Sequence, residues 1–501
     1  MNKQDRHKSI HAYQDDALGT KDAVALVQDL RASNVSATEL AQAARQRALR
    51  VEPSIHAITF NRHNHTRINH APPSLSKLSQ SLLTQTLFTQ TQGKQAKNAM
   101  FFQGIPSYIK DNIAVKGLPT SYGSAAFKPK AETRHGAYTK QFLSSGVNVL
   151  GKSALPEFGF NASTEPAHTA PTCNPWHLDY SSGASSGGAA ALVAAGVVPF
   201  AHGNDGGGSI RIPAACCGLV GLKPSRNRHI NEFAAKTLPI NIVSEGVLTR
   251  SVRDTAYFHF ELQKHYRNTN LPLLPLVTSP NKQRLKIGLV TDSVTGFSSD
   301  TDTRESVLKT ARLLEEAGHD VKEIKLPVSA QFAEDFGLYW GMLSFLVKKT
   351  AKQLFNRSFN PELLDPFSHG LANHYFKHIH KTPAFLFRLK QQAQVFKKQF
   401  EQLDVVLSPV LAQTTRPLGE LHPNTPYDIL FERLTRYASF TPIANVAGTP
   451  AISLPMGMSR DGLPIGIQLA SNLGQEQILL ELAYELEEAQ PWQHLHNLVR
   501  H

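Results

Sequence analysis

The middle third of the sequence alternates short apolar runs with glycine- and serine-rich loops and with helical stretches. Apolar runs at 147–150, 197–200 and 219–222 have the length of buried strands, and helical patterns lie at 135–145 and 187–195. Strands and helices that alternate in this way bury their apolar faces against each other. The pattern therefore predicts an α/β fold.

Helical and strand patterns are also present on both sides of this region. Residues 21–51 predict two helices, and the capping-box pattern from Ser36 to Glu39 marks the start of the second. Later segments predict a β-α-β unit at 286–326, helices over 332–400, a strand at 404–408, a strand at 465–469 and a helix at 476–488.

No repeat and no Pro- or Gly-rich linker divides the sequence. We therefore predict one large domain over residues 21–501, preceded by a polar N-terminal extension at residues 1–20. The stretch at 72–98 is rich in Ser, Thr, Gln and Leu without a clean period, which predicts an insertion or a mobile surface segment.

The cysteines indicate the cellular compartment, and the distribution of charge indicates which classes of partner to expect. The three cysteines, two of them adjacent, do not form a disulfide framework and favour a reducing cytoplasm. The most apolar stretch, 189–200, is too short to span a bilayer. Although the net charge is +12, the basic residues are scattered along helical stretches, so we expect no nucleic-acid partner and no membrane partner. A non-catalytic anion-binding protein stays as an alternative.

Two small-residue loops carry the candidate chemistry, at 181–188 (SSGASSGG) and 204–213 (NDGGGSIRIP). Successive glycine N–H groups can converge on a developing oxyanion, as a serine nucleophile requires. A serine hydroxyl also needs a base. No His-Asp pair stands at a convincing spacing and the nucleophile-elbow pattern is missing, so another residue must be the base.

These loops resemble the amidase signature family. The family's paired serines and its GGSIRxPA block are matched at 181–188 and 207–214, and its lysine motif is matched at 104–111 (GIPSYIKD). The interval of 24 residues from Ser185 to Ser209 fits the family closely. The resemblance implies a mixed central β-sheet covered by helices on both faces, and hydrolysis of an amide bond without a cofactor.

The resemblance also implies a role for each matched residue. Ser209 is the expected nucleophile, Lys110 the base, and Ser185 the bridge between them, preceded by a cis peptide bond. The expected oxyanion-hole donors are the N–H groups of Gly206, Gly207 and Gly208, together with that of Ser209. Asp205 and Arg211 are expected to support the site.

A lysine acts as a base only when it is neutral, and its reference pKa of about 10.4 leaves it protonated at pH 7. The apolar neighbours Tyr108, Ile109 and Ile113 predict a desolvated site that disfavours the charge. The alternative for Lys110 is a surface lysine paired with an acid.

Two departures from the family pattern stand near the serines. Gly183-Ala184 replaces the usual Gly-Gly, which is tolerable if the φ angle of Ala184 is negative. The HGND sequence at 202–205 replaces the commoner Gly-Thr-Asp and, with 164–166 (TEP) and 174–176 (NPW), resembles the 6-aminohexanoate cyclic-dimer hydrolase branch. The alternative within the family is the glutaminase subunit of a tRNA-dependent amidotransferase.

Two residues are candidate substrate contacts. For His202 the alternative is a buried histidine at a strand end, and for Trp340 it is ordinary helix packing. The apolar 332–346 stretch predicts a small-molecule substrate that is an uncharged or weakly polar amide, aliphatic or cyclic, with glutamine a poor substrate. For the quaternary structure, the state that we consider is a homodimer.

Overall fold

The fold is taken from a computed structural model, which describes residues 9–62, 100–293, 296–355 and 357–498. The segment predicted at 72–98 lies outside these residues. The strands are β1 (Ile58–Asn61), β2 (Pro106–Lys110), β3 (Asn148–Ser153), β4 (Cys173–Asn174), β5 (His177–Ser181), β6 (Phe200–Asp205), β7 (Val220–Lys223), β8 (Ser244–Thr249), β9 (Lys286–Leu289), β10 (Asp320–Glu323), β11 (Val405–Pro409), β12 (Ala451–Met458) and β13 (Pro464–Ser471).

Helices connect most of these strands, as the sequence predicts. They are α1 (Ala23–Arg31), α2 (Ala37–Ile55), α3 (Ala137–Leu143), α4 (Gly187–Ala194), α5 (Arg211–Cys217), α6 (Phe233–Lys236), α7 (Val252–His265), α8 (Thr301–Glu316), α9 (Gln331–Leu354), α10 (Pro366–Lys377), α11 (Thr382–Lys398), α12 (Tyr427–Tyr437), α13 (Pro442–Ala447) and α14 (Glu476–Ala489). The predicted capping box is present at the start of α2, where Ser36 and Glu39 each satisfy a free backbone N–H. Among the described helices, none has the length and apolarity needed to cross a membrane.

A mixed eight-stranded sheet forms the centre of the molecule, in the order β10-β9-β11-β13-β12-β7-β8-β6. Strand β9 pairs in parallel with β10 and β11, and the other neighbours are antiparallel. A second sheet, β1-β3-β2, lies beside the edge strand β6. The hydroxyl of Ser107 in β2 donates to the carbonyl of Phe200 in β6 at 3.0 Å.

Helices cover both faces of the central sheet. Ile452 and Leu454 of β12 belong to a core that also contains residues of α7, α8 and α14. The alternate residue Ala451 points to the other face, into a core shared with α9, α11 and α13. On that second face Gly466 of β13 leaves room for Ala215 of α5. The predicted fold class is therefore confirmed.

The strand predicted at 197–200 is wrong in its position. Helix α4 ends in a left-handed residue, Gly196, with φ of +78°, and the N–H of Val197 returns to the carbonyl of Leu192 at 2.9 Å. This closing turn uses the apolar residues before Phe200, so β6 begins at Phe200 and runs to Asp205. As a result the 202–205 motif lies within the sheet.

The described part of the predicted N-terminal extension, residues 9–20, packs onto the domain. Ala12 and Leu18 are buried in the core, and the N–H of Ala12 donates to the carbonyl of Ala195 at 2.8 Å. The buried guanidinium of Arg47 in α2 donates to the carboxylate of Asp16 at 2.8 Å. Residues 9–20 thus share the domain core, and the domain boundary between residues 20 and 21 stays a prediction.

Candidate active site

Lys110 ends strand β2 and contacts Ser185. Its Nζ lies 2.7 Å from Ser185 Oγ, 2.7 Å from Oδ1 of Asn204 and 3.4 Å from the carbonyl oxygen of Asn204. A neutral amine has two N–H donors and one lone pair. The two oxygens of Asn204 take both donors, which leaves the lone pair for the hydroxyl proton of Ser185. The same three oxygens can accept the three N–H groups of the ammonium form, so the geometry holds the lysine both before and after it takes a proton from Ser185.

The surroundings of Lys110 favour the neutral form. Burial lowers the pKa of Lys110 to about 7, against the opposing effect of the Glu245 and Asp205 carboxylates. The lysine is fully buried, and the predicted apolar neighbours Tyr108, Ile109 and Ile113 are buried with it. The alternative of a surface lysine paired with an acid is therefore wrong.

Ser185 is held in the loop between β5 and α4. The Ala184–Ser185 peptide bond is cis. Gly183 has φ of +73°, whereas Ala184 does not adopt positive φ, so its methyl group is accommodated in the core. Gly159 packs against Ser185, because a Cβ at that position would lie 2.9 Å from Ser185 Oγ.

The loop that leads from β6 to α5 carries Ser209, and Asp205 shapes it. Oδ1 of Asp205 accepts the N–H of Gly208 at 2.7 Å, and Oδ2 accepts the N–H of Ile210 at 3.2 Å. Both Asp205 oxygens also accept from the guanidinium of Arg211 at 2.9 Å. Burial raises the pKa of Asp205, but Arg211, Lys223 and Asn445 together outweigh it and hold this pKa far below its ordinary range.

Arg211 links this loop to the rest of the sheet. It is fully buried and donates to Oε1 of Gln468 at 2.6 Å, to Oδ1 of Asn445 at 2.6 Å and to the carbonyl of Thr441 at 2.9 Å. Asp205 and Arg211 thus stabilise the shape of the loop from beneath and do not face its open side. Asn445 and Gln468 stand in stretches that resemble the family, at 445–455 and 462–468, but the resemblance predicted no role in the site for them or for Thr441.

The expected oxyanion-hole donors differ in whether their N–H groups are free to bind an oxyanion. In the described part of the chain, the N–H groups of Gly206, Gly207 and Ser209 donate to no protein acceptor, and all three residues are partly exposed. The N–H of Gly208 is already donated to Asp205. Gly208 therefore departs from the expectation, because its N–H shapes the loop.

Ser209 lies on the open side of the site. Its hydroxyl makes no hydrogen bond to any residue that the structure describes, and the residue is partly exposed. Ser185, by contrast, is 4% exposed. The structure thus brings Lys110 and Ser185 into direct contact and leaves the Ser209 hydroxyl unbonded.

His202 lies behind Lys110, away from this open side. Its Nδ1 accepts the backbone N–H of Lys110 at 3.2 Å, so Nε2 carries the proton and donates to Oε2 of Glu245 at 2.9 Å. Burial, reinforced by the charge on Lys110, holds the pKa of His202 well below its ordinary value. The ring is fully buried with both nitrogens used, so the prediction of substrate contact does not fit His202. The alternative is right that the histidine is buried and hydrogen-bonded, but His202 lies inside β6 and not at a strand end.

The aromatic ring of Phe336 lies beside the glycine loop. A Cβ on Gly207 would lie 3.4 Å from the Phe336 ring. Trp340, one turn further along α9, packs edge-on against Phe367 at 5.7 Å and tilted against Phe431 at 6.4 Å between ring centroids. These contacts are the helix packing that the alternative for Trp340 predicts, and its role in substrate binding stays a prediction.

The fold and the site together define a class of protein. A mixed α/β sheet supports a buried lysine–serine pair beside a glycine loop with free N–H groups, an arrangement suited to nucleophilic attack by a serine. Residues 65–480 match the Amidase family. The chain belongs to this family, and it is a hydrolase of carbon–nitrogen bonds.

Three relatives illustrate the match. The protein named "Putative amidase AmiC" of Mycobacterium tuberculosis is 44% identical over 488 residues, covering 97% of this chain and 98% of its own length. A glutamyl-tRNA(Gln) amidotransferase subunit of a Cyanothece species is 31% identical, covering 78% of this chain and 85% of its own. The solved structure of 6-aminohexanoate cyclic dimer hydrolase superposes with a TM-score of 0.79 at 26% identity, covering 96% of this chain and 98% of its own.

Proposed function

We propose that this amidase hydrolyses an uncharged aliphatic or cyclic amide through Lys110, Ser185 and Ser209. The observation that carries the proposal is the fully buried Lys110, with its Nζ 2.7 Å from Ser185 Oγ. Because burial lowers the pKa of Lys110 to about 7, a large fraction of this lysine is neutral at pH 7 and can act as a base.

In the proposed mechanism the proton moves from Ser209 to Ser185 and from Ser185 to Lys110 as Ser209 Oγ attacks the amide carbon. The N–H groups of Gly206, Gly207 and Ser209 bind the developing oxyanion. Ser185 then returns a proton to the leaving amine, which breaks the carbon–nitrogen bond and leaves an acyl-enzyme. Water then attacks the ester carbon and gives a proton through Ser185 to Lys110. The proton returns through Ser185 to Ser209 as the ester bond breaks and the acid is released.

Apolar side chains support an uncharged substrate. Phe336 faces Gly207, and a Cβ on Gly206 would lie 3.8 Å from Ile242 and from Val243. A free amino acid such as glutamine needs charged partners for its carboxylate and ammonium groups. The likeness to the cyclic dimer hydrolase, whose structure superposes over 96% of the chain, also supports this substrate class.

A fluorophosphonate probe tests the nucleophile without knowledge of the substrate. We expect stoichiometric labelling of the wild-type protein and none of Ser209→Ala, whose amide turnover falls by several powers of ten while its unfolding transition is unchanged. Stoichiometric labelling of the alanine variant would exclude Ser209 as the nucleophile. A protein that is not labelled at all would support the non-catalytic, anion-binding alternative.

The substrate class is tested by comparing kcat/KM for glutamine with that for a linear and a cyclic aliphatic amide. We expect glutamine to be the poorest of the three, since the described wall is apolar. A matched pair of amides that differ only in an added carboxylate measures the effect of charge directly. A clear preference for glutamine would move the protein to the glutaminase branch.

A further inference from the structure

Two asparagine side chains meet beside the amine of Lys110. Asn204 lies in β6, and Asn112 follows the end of β2 by two residues. Nδ2 of Asn112 donates to Oδ1 of Asn204, and Nδ2 of Asn204 donates to Oδ1 of Asn112, both at 3.3 Å. The two amides therefore form a reciprocal pair, and Oδ1 of Asn204 also lies 2.7 Å from Lys110 Nζ.

The orientation of the Asn204 amide decides what the lysine can do. With Oδ1 towards the amine, the amide accepts an N–H of Lys110 and leaves the lone pair of the neutral amine free. If the amide were turned over, its NH₂ group would face the amine and donate to that lone pair. The lone pair is needed for the proton of Ser185, whose Oγ lies 2.7 Å away. A turned-over amide would therefore block the base.

Asn112 opposes such a turn. If Asn204 turned over alone, its Nδ2 would face Nδ2 of Asn112 and its Oδ1 would face Oδ1, so both hydrogen bonds of the pair would be lost. Asn204 is only 8% exposed, so little water can replace those bonds. The reciprocal pair thus stabilises the one orientation in which the amide accepts from the lysine.

We propose that Asn112 and Asn204 are positioning residues that keep the lone pair of Lys110 directed at Ser185. The pair holds Oδ1 of Asn204 on the amine while the lysine is neutral and after it has taken a proton. Asn204 stands where the commoner family pattern has threonine, so the pair does not follow from the resemblance. The inference rests on the proposed function, in which Lys110 is the base.

Two substitutions of Asn204 should shift the pH dependence in opposite directions. Asn204→Asp keeps the shape and places a carboxylate where an oxygen lies 2.7 Å from the amine, and the ion pair with the ammonium keeps that carboxylate ionised. The lysine must then lose its proton beside a negative charge, which requires a higher pH. Asn204→Leu removes an oxygen that accepts from the ammonium, so the lysine should become neutral at a lower pH.

The other ionisable groups around the lysine are the same in both variants. Glu245 of β8 and Asp205 of β6 favour the charged form of Lys110. His202 accepts the backbone N–H of the lysine through Nδ1, and Lys152 of β3 is bound to its own acid at 3.3 Å. A difference between the two pH profiles is therefore due to the substituted side chain.

The test is the rate of Ser209 labelling by the fluorophosphonate probe, measured on the full chain between about pH 5 and 10. The acid limb is the rise of this rate from low pH to its plateau. For Asn204→Asp we expect the acid limb to move to higher pH by about one unit or more, and for Asn204→Leu to move to lower pH. The plateau of Asn204→Leu should also fall by about tenfold or more, because the base is misplaced.

Asn231→Asp is the matched control for the change of charge. Asn231 is 4% exposed, and its amide donates to Oδ1 of Asn227 at 2.6 Å. Because this amide belongs to a different pair, the acid limb of Asn231→Asp should coincide with that of the wild type.

Asn112→Leu tests the second member of the pair, since it leaves Asn204 in place but free to turn over. We expect the plateau rate to fall by about twofold or more, in proportion to the time that Asn204 spends turned over. An unchanged plateau would remove Asn112 from the inference.

Acid limbs of the two Asn204 variants that move in the same direction, or that do not move, would overturn the inference. If Asn204→Leu does not fold, the isosteric Asn204→Asp still decides, because an acid limb that fails to move upward contradicts the contact with the amine. Labelling that depends on Ser209 but not on Asn204 refutes only the inference, whereas labelling of Ser209→Ala refutes the proposed function itself.

Discussion

Replacing Gly159 by alanine probes the contact between Lys110 and Ser185 without changing either residue. Gly159 has φ of +78°, and a Cβ there would lie 2.9 Å from Ser185 Oγ. The turn that holds Gly159 is closed by its own N–H, which donates to the carbonyl of Pro156 at 2.9 Å. The turn therefore resists movement, and Ser185 is the group that must shift.

The size of the effect follows from these distances. Non-bonded heavy atoms are at their optimum at about 3.5 Å, so the hydroxyl must retreat by roughly half an ångström. The 2.7 Å contact between Ser185 Oγ and Lys110 Nζ is displaced by a similar amount. Because a misplacement of about 1 Å costs on the order of a hundredfold in rate, we expect kcat/KM to fall by about tenfold or more.

The control is Gly117→Ala. Gly117 has φ of +84°, but nothing lies within 4 Å of the position its Cβ would take. Both variants therefore carry the left-handed backbone penalty of about 1–2 kcal/mol, and only the variant at position 159 presses on Ser185. Urea unfolding measures the shared loss of stability, and kcat/KM on one amide measures the difference. Equal kcat/KM values for the two variants would refute the reasoning.

Two further predictions concern the lysine and the loop. Because the pKa of Lys110 is about 7 and the neutral form is the proposed base, kcat/KM should rise with pH to a plateau on the alkaline side. At pH 6 we expect roughly a tenth of the plateau value. Lys110→Arg should be nearly inactive throughout, and substantial turnover would contradict the role. Asp205→Asn leaves Arg211 buried without its carboxylate and should lower the free energy of unfolding by about 3–5 kcal/mol in urea titrations. A loss under about 1 kcal/mol would contradict that account.

The sequence alone determined the fold class and the candidate triad. Strand and helix periodicities are local, so the α/β pattern and most elements were predictable. The one misplaced strand arose because the apolar residues before Phe200 close a helix instead of pairing in the sheet. Lys110, Ser185 and Ser209 stand within contiguous motifs that resemble those of the family, apart from the departures at 183–184 and 202–205.

Only the tertiary structure decided which distant side chains complete the site. Glu245 meets His202 because of the register between β6 and β8, and Phe336 reaches Gly207 because α9 packs beside the loop. Nor does the motif at 202–205 say that His202 turns away from the substrate side while Asn204 binds the lysine. Strand register and helix packing depend on burying the whole chain at once, so no local pattern encodes them.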